Sequence, residues 1–227
     1  ITCEHGGNRI PAAYRHLFRG QRALLDSHRG YDHGAQAMAQ ALAVALNAPL
    51  VSTTVSRLLI DVNRPIGHPQ TYSVVTRDIP MAERETIAAQ HHRPYWKQVE
   101  RLVGRAAARG RRVIHISSHS FTPVLNGEVR HADVGLLYDP GHHGEAELCT
   151  RWKTALAGHP PALLVRRNYP YLGTAPGLTA QLRLQFPSHL YVGIELEINQ
   201  GIIRAAGPRW TALRGTLIQS LRTACLA

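Results

Sequence analysis

The alternation of short apolar runs with longer stretches of helical periodicity is the feature of this sequence that most constrains its fold. The apolar runs predict strands at residues 1–3, 50–52, 58–62, 113–117, 134–138, 162–166 and 191–198. The periodic stretches predict helices at residues 34–46, 82–90 continuing past Pro94 to about 108, 144–157, 178–184 and 209–223. Alternating strands and helices are typical of an α/β fold. Because 227 residues fit one core, we expect a single domain over residues 1–227.

The longest helical stretch carries a stripe that should face the core. Apolar side chains recur there at spacings of three and four residues, at Val99, Leu102, Val103 and Ala106. Pro94 lies inside the stretch, where it has no N–H to donate and its ring clashes with the preceding turn. We therefore expect Pro94 to kink or divide this helix.

The formal net charge of +11 first suggests a nucleic-acid partner. The basic residues are scattered, however, and they come without an RNP-type aromatic motif, a zinc-finger spacing or a basic tail. Many of them lie on expected helix surfaces, at Arg101, Arg105, Arg109, Arg111 and Arg112. We interpret the charge as a solvated basic surface that favours a small anionic substrate, and we expect no nucleic-acid partner.

Cysteine usage and hydropathy bound the environment of the chain. Cys3, Cys149 and Cys225 are far apart and odd in number, which does not indicate a disulfide framework. The sequence has no signal peptide and no run of 18 apolar residues, so we expect a cytoplasmic protein without a membrane partner. Because Ile1 stands directly before a motif, we also expect native residues to precede it. The oligomeric state stays open.

Two histidines stand at the ends of expected strands, where the loops of an open α/β sheet converge on a crevice. His5 follows the first apolar run and precedes two glycines, and His119 ends the run that starts at Val113. One histidine near a strand is usually a hydrogen-bonded structural residue, but two in this position favour a metal site. Catalytic zinc takes three protein ligands, so we expect a third ligand and one Zn²⁺ per chain. Other divalent ions also accept His and Asp ligands.

Asp32 is the first candidate for the third ligand. It precedes an alanine-rich helical stretch, and the alternative is that it serves as the N-cap of that helix. His28 and His33 compete for the ligand role, and either could instead donate a hydrogen bond to a ligand.

The stretch Asp61-Val62-Asn63-Arg64 carries groups suited to binding a carboxylate. Guanidinium forms two parallel hydrogen bonds with a carboxylate, which Lys cannot do. If the preceding run is a strand, its alternation puts Arg57, Asp61 and Asn63 on one face. We interpret Arg57 as the group that stabilises a developing oxyanion, and Asp61 as a brace for an arginine. Asn63 and Arg64 would bind the substrate carboxylate. The alternative is a structural ion pair between Asp61 and an arginine.

The last expected strand carries Glu195 and Glu197 on one face, opposite apolar side chains. A carboxylate in an apolar strand is costly unless it has a partner. A glutamate that acts as general base beside a metal site has such a partner, and either residue could be that base. The alternative is an edge strand whose glutamates face solvent.

Arg130, Asn168 and Tyr171 are further candidates for substrate binding. Arg130 lies between two expected strands, and the other two lie in the loop 167–177, which is rich in Gly, Pro and aromatic residues. Such a loop is typical of a pocket wall or a lid. Ordinary loop packing accounts for these residues equally well.

Seven short motifs, taken in order, resemble those of the N-formylglutamate amidohydrolase family. They are Cys-Glu-His-Gly-Gly-Asn (3–8), Gly-Tyr-Asp-His-Gly-Ala (30–35), Ser-Arg-Leu-Leu-Ile-Asp-Val-Asn-Arg (56–64), Ser-His-Ser-Phe-Thr-Pro (118–123), Gly-Leu-Leu-Tyr-Asp-Pro (135–140), Asn-Tyr-Pro-Tyr (168–171) and Ile-Glu-Leu-Glu-Ile-Asn-Gln (194–200). Each motif is short, but the ordered combination is specific and covers residues 3–200.

The resemblance implies a phosphorylase/hydrolase-like α/β fold with a central mixed sheet flanked by helices, similar in design to zinc carboxypeptidases and aspartoacylases. It also implies zinc-dependent hydrolysis of a linear amide. For N-formyl-L-glutamate the products would be formate and L-glutamate, as at the end of histidine breakdown. His5 and His119 match the metal histidines of the family, and Glu197 matches its catalytic glutamate.

Aspartoacylases carry a similar Asp-Leu-Asn-Arg stretch that holds a substrate carboxylate. The resemblance therefore implies this role for Asn63 and Arg64, and the oxyanion role for Arg57. Carboxypeptidases place a glutamate ligand three residues after the first histidine, but this chain has Asn8 there. The acidic ligand must come from elsewhere, and the resemblance leaves Asp32 as the inferred one.

Two rival functions use the same residues. Another metal-dependent amidase or peptidase would need the same metal site with a pocket of different size, and turnover of a panel of N-acyl amino acids separates it. A non-enzymatic basic binding protein would have structural histidines, and metal analysis separates that one.

Overall fold

The helices and strands alternate as predicted, except that one predicted strand is absent and several short elements are added. The structure, a computed structural model, describes residues 1–159, 162–205 and 207–226. The strands are β1 (Thr2–Cys3), β2 (Val51–Ser52), β3 (Val113–Phe121), β4 (Val124–Leu125), β5 (Glu128–Val129), β6 (Val134–Leu137), β7 (Val165–Arg167) and β8 (Tyr191–Asn199). The α-helices are α1 (Arg22–Leu25), α2 (Ala35–Leu46), α3 (Met81–Ile87), α4 (Arg93–Ala107), α5 (His143–Ala157), α6 (Leu178–Gln185), α7 (Gln200–Arg204) and α8 (Pro208–Leu226). A 3₁₀ segment spans Ala12–Phe18, and a π-helical turn spans Ala88–His92.

Six strands form one mixed sheet in the order β2-β1-β3-β8-β6-β7, and β4 pairs with β5 in a separate hairpin. The pairs β2–β1, β1–β3 and β3–β8 are parallel. Strand β6 runs antiparallel to β8, and β7 runs parallel to β6. The expected α/β fold with a central mixed sheet flanked by helices is therefore confirmed. The carboxyl ends of four parallel strands meet at one edge of this sheet, which is where sites of open α/β sheets form.

The two faces of the sheet are covered by different helices. Ile116 and Ile194 point to the face on which α2, α5 and α8 pack. Tyr191 points to the opposite face, where it packs with residues of α4 and α6. Val113 of β3 and Tyr191 of β8 both pack on that second face. His119 and Glu197 follow them by an even number of residues in the same strands, so they point to the same face. The polar site thus shares its side of the sheet with α4 and α6.

The strand predicted at residues 58–62 is wrong. These residues form a turn and irregular chain rather than part of the sheet. Leu59 and Ile60 are nevertheless buried, because they pack into the core cluster that α4 covers. The backbone N–H of Asp61 donates to the carbonyl oxygen of Thr71 at 2.8 Å, so loop contacts replace a strand ladder.

The other predicted elements are confirmed, with ends shifted by up to four residues. Pro94 does mark a division: α3 ends, the π-helical turn follows, and α4 begins at Arg93 with Pro94 in its first turn. A proline is tolerated there because its missing N–H has no partner inside the helix. Within the described ranges, no helix has the length and hydropathy that crossing a membrane requires.

Candidate active site

His5, Asp32 and His119 come together at the carboxyl edge of the sheet from three distant segments. His5 follows β1, Asp32 precedes α2 and His119 lies near the end of β3. Oδ2 of Asp32 lies 3.3 Å from Nδ1 of His5 and 2.9 Å from Nδ1 of His119. One potential ligand atom of each residue lies within 4.8 Å of the other two. All three side chains are buried.

Each of the two imidazoles has a second carboxylate at its other nitrogen. Nε2 of His5 lies 2.7 Å from Oδ1 of Asp61, and Nε2 of His119 lies 3.1 Å from Oε2 of Glu4. A neutral imidazole has a single N–H, which can serve only one of its two carboxylates. If Nε2 carries it, both Nδ1 lone pairs point toward Oδ2 of Asp32. Two such nitrogens and a carboxylate oxygen are a donor set that fits a divalent metal ion.

The charges in this cluster shift its pKa values strongly. Burial alone would raise the pKa of Asp32, but the imidazoles of His5 and His119 lower it far below its usual range. Burial alone would lower the pKa of His119, but hydrogen bonds to Asp32 and Glu4 raise it well above 6.5. Hydrogen bonds to His119 and Ser117 likewise outweigh burial and lower the pKa of Glu4. The carboxylates therefore stay ionised and favour a cation among them.

The structure separates the alternatives for the third ligand. Asp32 does not cap α2 with its side chain, because the helix begins after Gly34, whose φ is +78°, and the carboxylate faces the histidines instead. His28 lines the adjoining cavity without joining the cluster. His33 stacks on Tyr31, with ring centroids 4.1 Å apart. Asn8 points away as well, because its amide donates to Oδ1 of Asp26 at 2.8 Å.

A cavity of about 660 Å³ opens beside the cluster, and Arg57 lies in its wall. Nη2 of Arg57 is 2.7 Å from Oδ2 of Asp61, and Nη1 is 3.5 Å from Oδ1 of Asp32. Burial lowers the pKa of Arg57, but the two aspartates outweigh this and raise it above the ordinary arginine value. The guanidinium is thus a permanent positive charge held at fixed positions next to the metal-ligand candidates.

Asn63 and Arg64 lie in the wall of the same cavity. The backbone N–H of Leu178, the first residue of α6, donates to Oδ1 of Asn63 at 3.1 Å. Because this oxygen is engaged, the NH₂ group is the end of Asn63 that can face a ligand. Nη1 of Arg64 donates to the carbonyl oxygen of Pro176. Arg57, Asp61 and Asn63 do share one side, but a turn rather than strand alternation brings them there.

Glu195 and Glu197 reach the cavity from β8, which is a central strand and not a solvent-facing edge. Glu197 is the register partner of His119 across the β3–β8 pair. Its Oε2 is buried and has no hydrogen-bond partner among the described residues, whereas Oε1 of Glu195 accepts from the hydroxyl of Thr179 at 2.7 Å. Burial raises the pKa of Glu197 to about 8, although His119 counteracts it. A carboxyl group with a pKa near neutrality is suited to accept and return a proton.

Tyr171 lines the cavity, whereas Arg130 and Asn168 lie behind the lining residues. Nη1 of Arg130 donates to the hydroxyl of Tyr171 at 3.0 Å, and the guanidinium carbon lies 5.0 Å from the ring centroid. Asn168 has a φ of +49°. Its Oδ1 accepts from the backbone N–H groups of Tyr138 (3.0 Å) and Gly173 (3.1 Å). Asn168 therefore shapes the loop that carries Tyr171.

Sequence reasoning missed Glu4, although it lies inside the first quoted motif. Glu4 is 1% exposed, and several side chains contact it. Besides His119, the hydroxyl of Ser117 donates to Oε2 at 2.6 Å and the hydroxyl of Tyr95 donates to Oε1 at 3.0 Å. The available signal was an acidic residue at the end of an apolar strand, directly before a candidate ligand.

Comparisons with known proteins give the family and support the fold. The family model described as N-formylglutamate amidohydrolase matches residues 1–204. The solved structure of a gene product from Agrobacterium tumefaciens shares 30% sequence identity and a TM-score of 0.84, over 99% of this chain and 89% of that chain. N-formylglutamate amidohydrolase from Ralstonia eutropha JMP134 shares 22% identity and a TM-score of 0.70, over 99% and 92%, which supports the fold. No curated protein matches the chain. The match over most of its length shows that this chain belongs to the N-formylglutamate amidohydrolase family.

Proposed function

We propose that residues 1–227 form one metal-dependent amidohydrolase domain that hydrolyses N-formyl-L-glutamate to formate and L-glutamate. The observation that carries the proposal is the buried cluster of His5, Asp32 and His119, which shares a cavity with Glu197 and Arg57 in a chain of this family. One Zn²⁺ per chain is the proposed ion, because two imidazoles, one carboxylate and an open position are typical of catalytic zinc.

The cluster residues would hold the ion through Nδ1 of both histidines and the carboxylate of Asp32. When bound, the ion supplies Lewis-acid polarisation of the amide carbonyl and acidifies water. Asp61 and Glu4 would accept the Nε2 protons of His5 and His119, at 2.7 and 3.1 Å, so Nδ1 of each ring would face the ion once metal binding displaces the second proton of His119. These outer carboxylates therefore set the tautomer that the cluster needs.

Glu197 is the proposed general base. It takes a proton from the attacking water and delivers it to the nitrogen of the departing amine, so the C–N bond breaks without expelling an unprotonated amide anion. Arg57 stabilises the negative oxygen of the tetrahedral intermediate. Its contacts with Asp61 and Asp32 hold the guanidinium in place before the reaction begins.

The substrate carboxylate is the proposed ligand of the NH₂ group of Asn63 and the guanidinium of Arg64. Tyr171 also lines the cavity. Arg130 and Asn168 support substrate binding indirectly, because one holds the tyrosine side chain and the other shapes its loop. The net charge of +11 attracts an anionic substrate to this opening.

Formate release tests the proposal. Zinc-loaded protein should release formate from N-formyl-L-glutamate and should contain about one zinc per chain. His119→Ala should lose both properties, whereas His33→Ala, a matched change outside the cluster, should keep them. A zinc-loaded protein that releases no formate would refute the substrate assignment, and a chain that binds no divalent metal would refute the metal site.

A second candidate substrate is a larger N-acyl amino acid or a peptide. The observation that favours it is the cavity volume of about 660 Å³, which lies within the range that accommodates drug-sized ligands. A panel of N-formyl, N-acetyl and peptidyl glutamates separates the two candidates. A kcat/KM that rises with the size of the acyl group would favour the larger substrate.

A further inference from the structure

We infer that three ring side chains at the junction of the π-helical turn and α4, which we call the α4 face (His92, Tyr95 and Trp96), position the proposed carboxylate-binding residues. This inference rests on the proposed function, because it gives Asn63 and Arg64 their role. His92 and Trp96 are positioning residues: they act through the backbone of residues 62–64 and do not line the cavity.

Two hydrogen bonds connect the α4 face to this backbone. Nε2 of His92 donates to the carbonyl oxygen of Arg64 at 2.7 Å, since a carbonyl can only accept. Nε1 of Trp96 donates to the carbonyl oxygen of Val62, also at 2.7 Å. The two bonds lie on either side of Asn63. Together they fix the direction in which the side chains of Asn63 and Arg64 leave the chain.

The two donors are themselves held rigidly. The rings of His92 and Trp96 stack, with centroids 5.0 Å apart and an interplanar angle of 20°. His92 is 3% exposed. Burial lowers its pKa and favours the neutral ring, and the bond to Arg64 assigns its proton to Nε2. A stacked, neutral donor with a fixed tautomer is a rigid support for the backbone that it contacts.

The π-helical turn Ala88–His92 gives these residues their orientation. A π-helical turn contains one residue more than an α-helical turn, which rotates everything after it by about 100° around the helix axis. In a continuous α-helix from α3 to α4, residues 92, 95 and 96 would point to a different side. π-Helical turns inside α-helices occur frequently at functional sites, and here the turn directs one helix face at the site.

The same face also reaches the metal cluster. The hydroxyl of Tyr95 donates to Oε1 of Glu4, whose Oε2 lies 3.1 Å from Nε2 of His119. Residues 92, 95 and 96 are spaced three and four apart, so they lie on one side of the helix. The α4 face therefore contacts both the backbone that carries Asn63 and Arg64 and the carboxylate of Glu4, which lies beside His119.

The test is a pair of substitutions at His92, with KM and kcat measured for N-formyl-L-glutamate. His92→Phe keeps a ring that can stack on Trp96 but removes the donor, and we expect KM to rise about tenfold while kcat changes less than about threefold. His92→Gln offers an amide N–H near the position of Nε2 and should restore most of the KM. His91→Phe is the matched control, because His91 lies in the same turn but packs against Tyr14, with ring centroids 6.0 Å apart.

A KM of His92→Phe that stays within about twofold of wild type, or an equal rise in His91→Phe, would overturn the inference. If His92→Phe fails to fold, Trp96→Phe removes the bond to Val62 while keeping a ring, and the same rise in KM is expected. If wild-type protein releases no formate, the proposed function fails separately. In that case titration calorimetry measures the affinity of wild type and His92→Phe for N-formyl-L-glutamate, and equal affinities would overturn the inference.

Discussion

The proposed metal cluster and the proposed carboxylate-binding segment, Asn63 and Arg64, share one cavity but are built in different ways. His119 and Glu197 lie opposite each other on paired central strands, so the sheet register fixes their separation. Asn63 and Arg64 lie in irregular chain that side chains of α4 hold from outside. Backbone hydrogen bonds of the sheet thus position His119 and Glu197, whereas single side chains of the α4 face position Asn63 and Arg64. We expect mutations in the two regions to affect different kinetic constants.

The largest effect is expected at the sheet, from His119→Ala. The substitution removes a ligand candidate and leaves Asp32 and Glu4 facing each other without the imidazole between them. We expect zinc content to fall from about one per chain to background, with the loss of formate release. Metal analysis by mass spectrometry and a formate assay measure both. A variant that keeps its zinc would show that the ion, if present, lies elsewhere.

Glu197→Gln should come next, because it removes the proton acceptor and preserves the shape of the side chain. We expect kcat to fall by about 10²–10⁴ with little change in KM or zinc content. The matched control is Glu195→Gln, in which the residue changed already accepts a hydrogen bond from Thr179. If Glu195→Gln loses as much kcat as Glu197→Gln, or more, the base is assigned to the wrong glutamate.

Glu4→Gln tests whether a carboxylate that contacts a proposed metal ligand, without being one, strengthens metal binding. The neutral amide is a weaker acceptor for the Nε2 proton of His119, so we expect zinc affinity to fall by about 10–100-fold. Competition with a chelator measures the affinity, and kcat at saturating zinc should change far less. Glu128→Gln, on the exposed hairpin strand β5, should leave the affinity unchanged. Equal affinities in all three proteins would show that Glu4 does not act on the metal.

The smallest effect is expected in the irregular segment, from Arg64→Lys. A lysine cannot form two parallel hydrogen bonds with a carboxylate, so we expect KM to rise about tenfold with kcat nearly constant. Arg105→Lys, on the α4 helix, is the matched control. A large loss of kcat instead would show that the two regions are not separable, and an unchanged KM would remove Arg64 from the substrate site.

The sheet region could be predicted well from the sequence because its signal is local. Strand alternation places Glu195 and Glu197 on one face of their strand, and the apolar run before His119 places this residue near a strand end. Strand order then brings His5 to the same edge. Asp32 was harder, since an acid before a helix is equally typical of an N-cap, and only its contacts with the two histidines distinguish the cases.

The irregular segment could be predicted only in part because its signal is not local. The apolar run 58–60, with Val62 following Asp61, fits a buried strand and a buried loop equally well, and packing against α4 decides between them. His92 lies 28 residues from Arg64 along the chain. Its contact depends on the π-helical turn, which leaves no trace in a hydrophobic pattern of period 3.6. Composition and spacing therefore indicated Arg64 as a candidate but gave no signal for the residues that contact its backbone.

The irregular segment also has an evolutionary consequence. Since His119 and the proposed base Glu197 lie on paired strands, a descendant of this protein can change residues 63–64, or the pair His92 and Trp96, while these two groups stay in place. Preference for a new acyl amino acid would then arise by a few independent steps, each visible to selection. A laboratory library restricted to these two stretches would be the economical starting point for redirecting the enzyme.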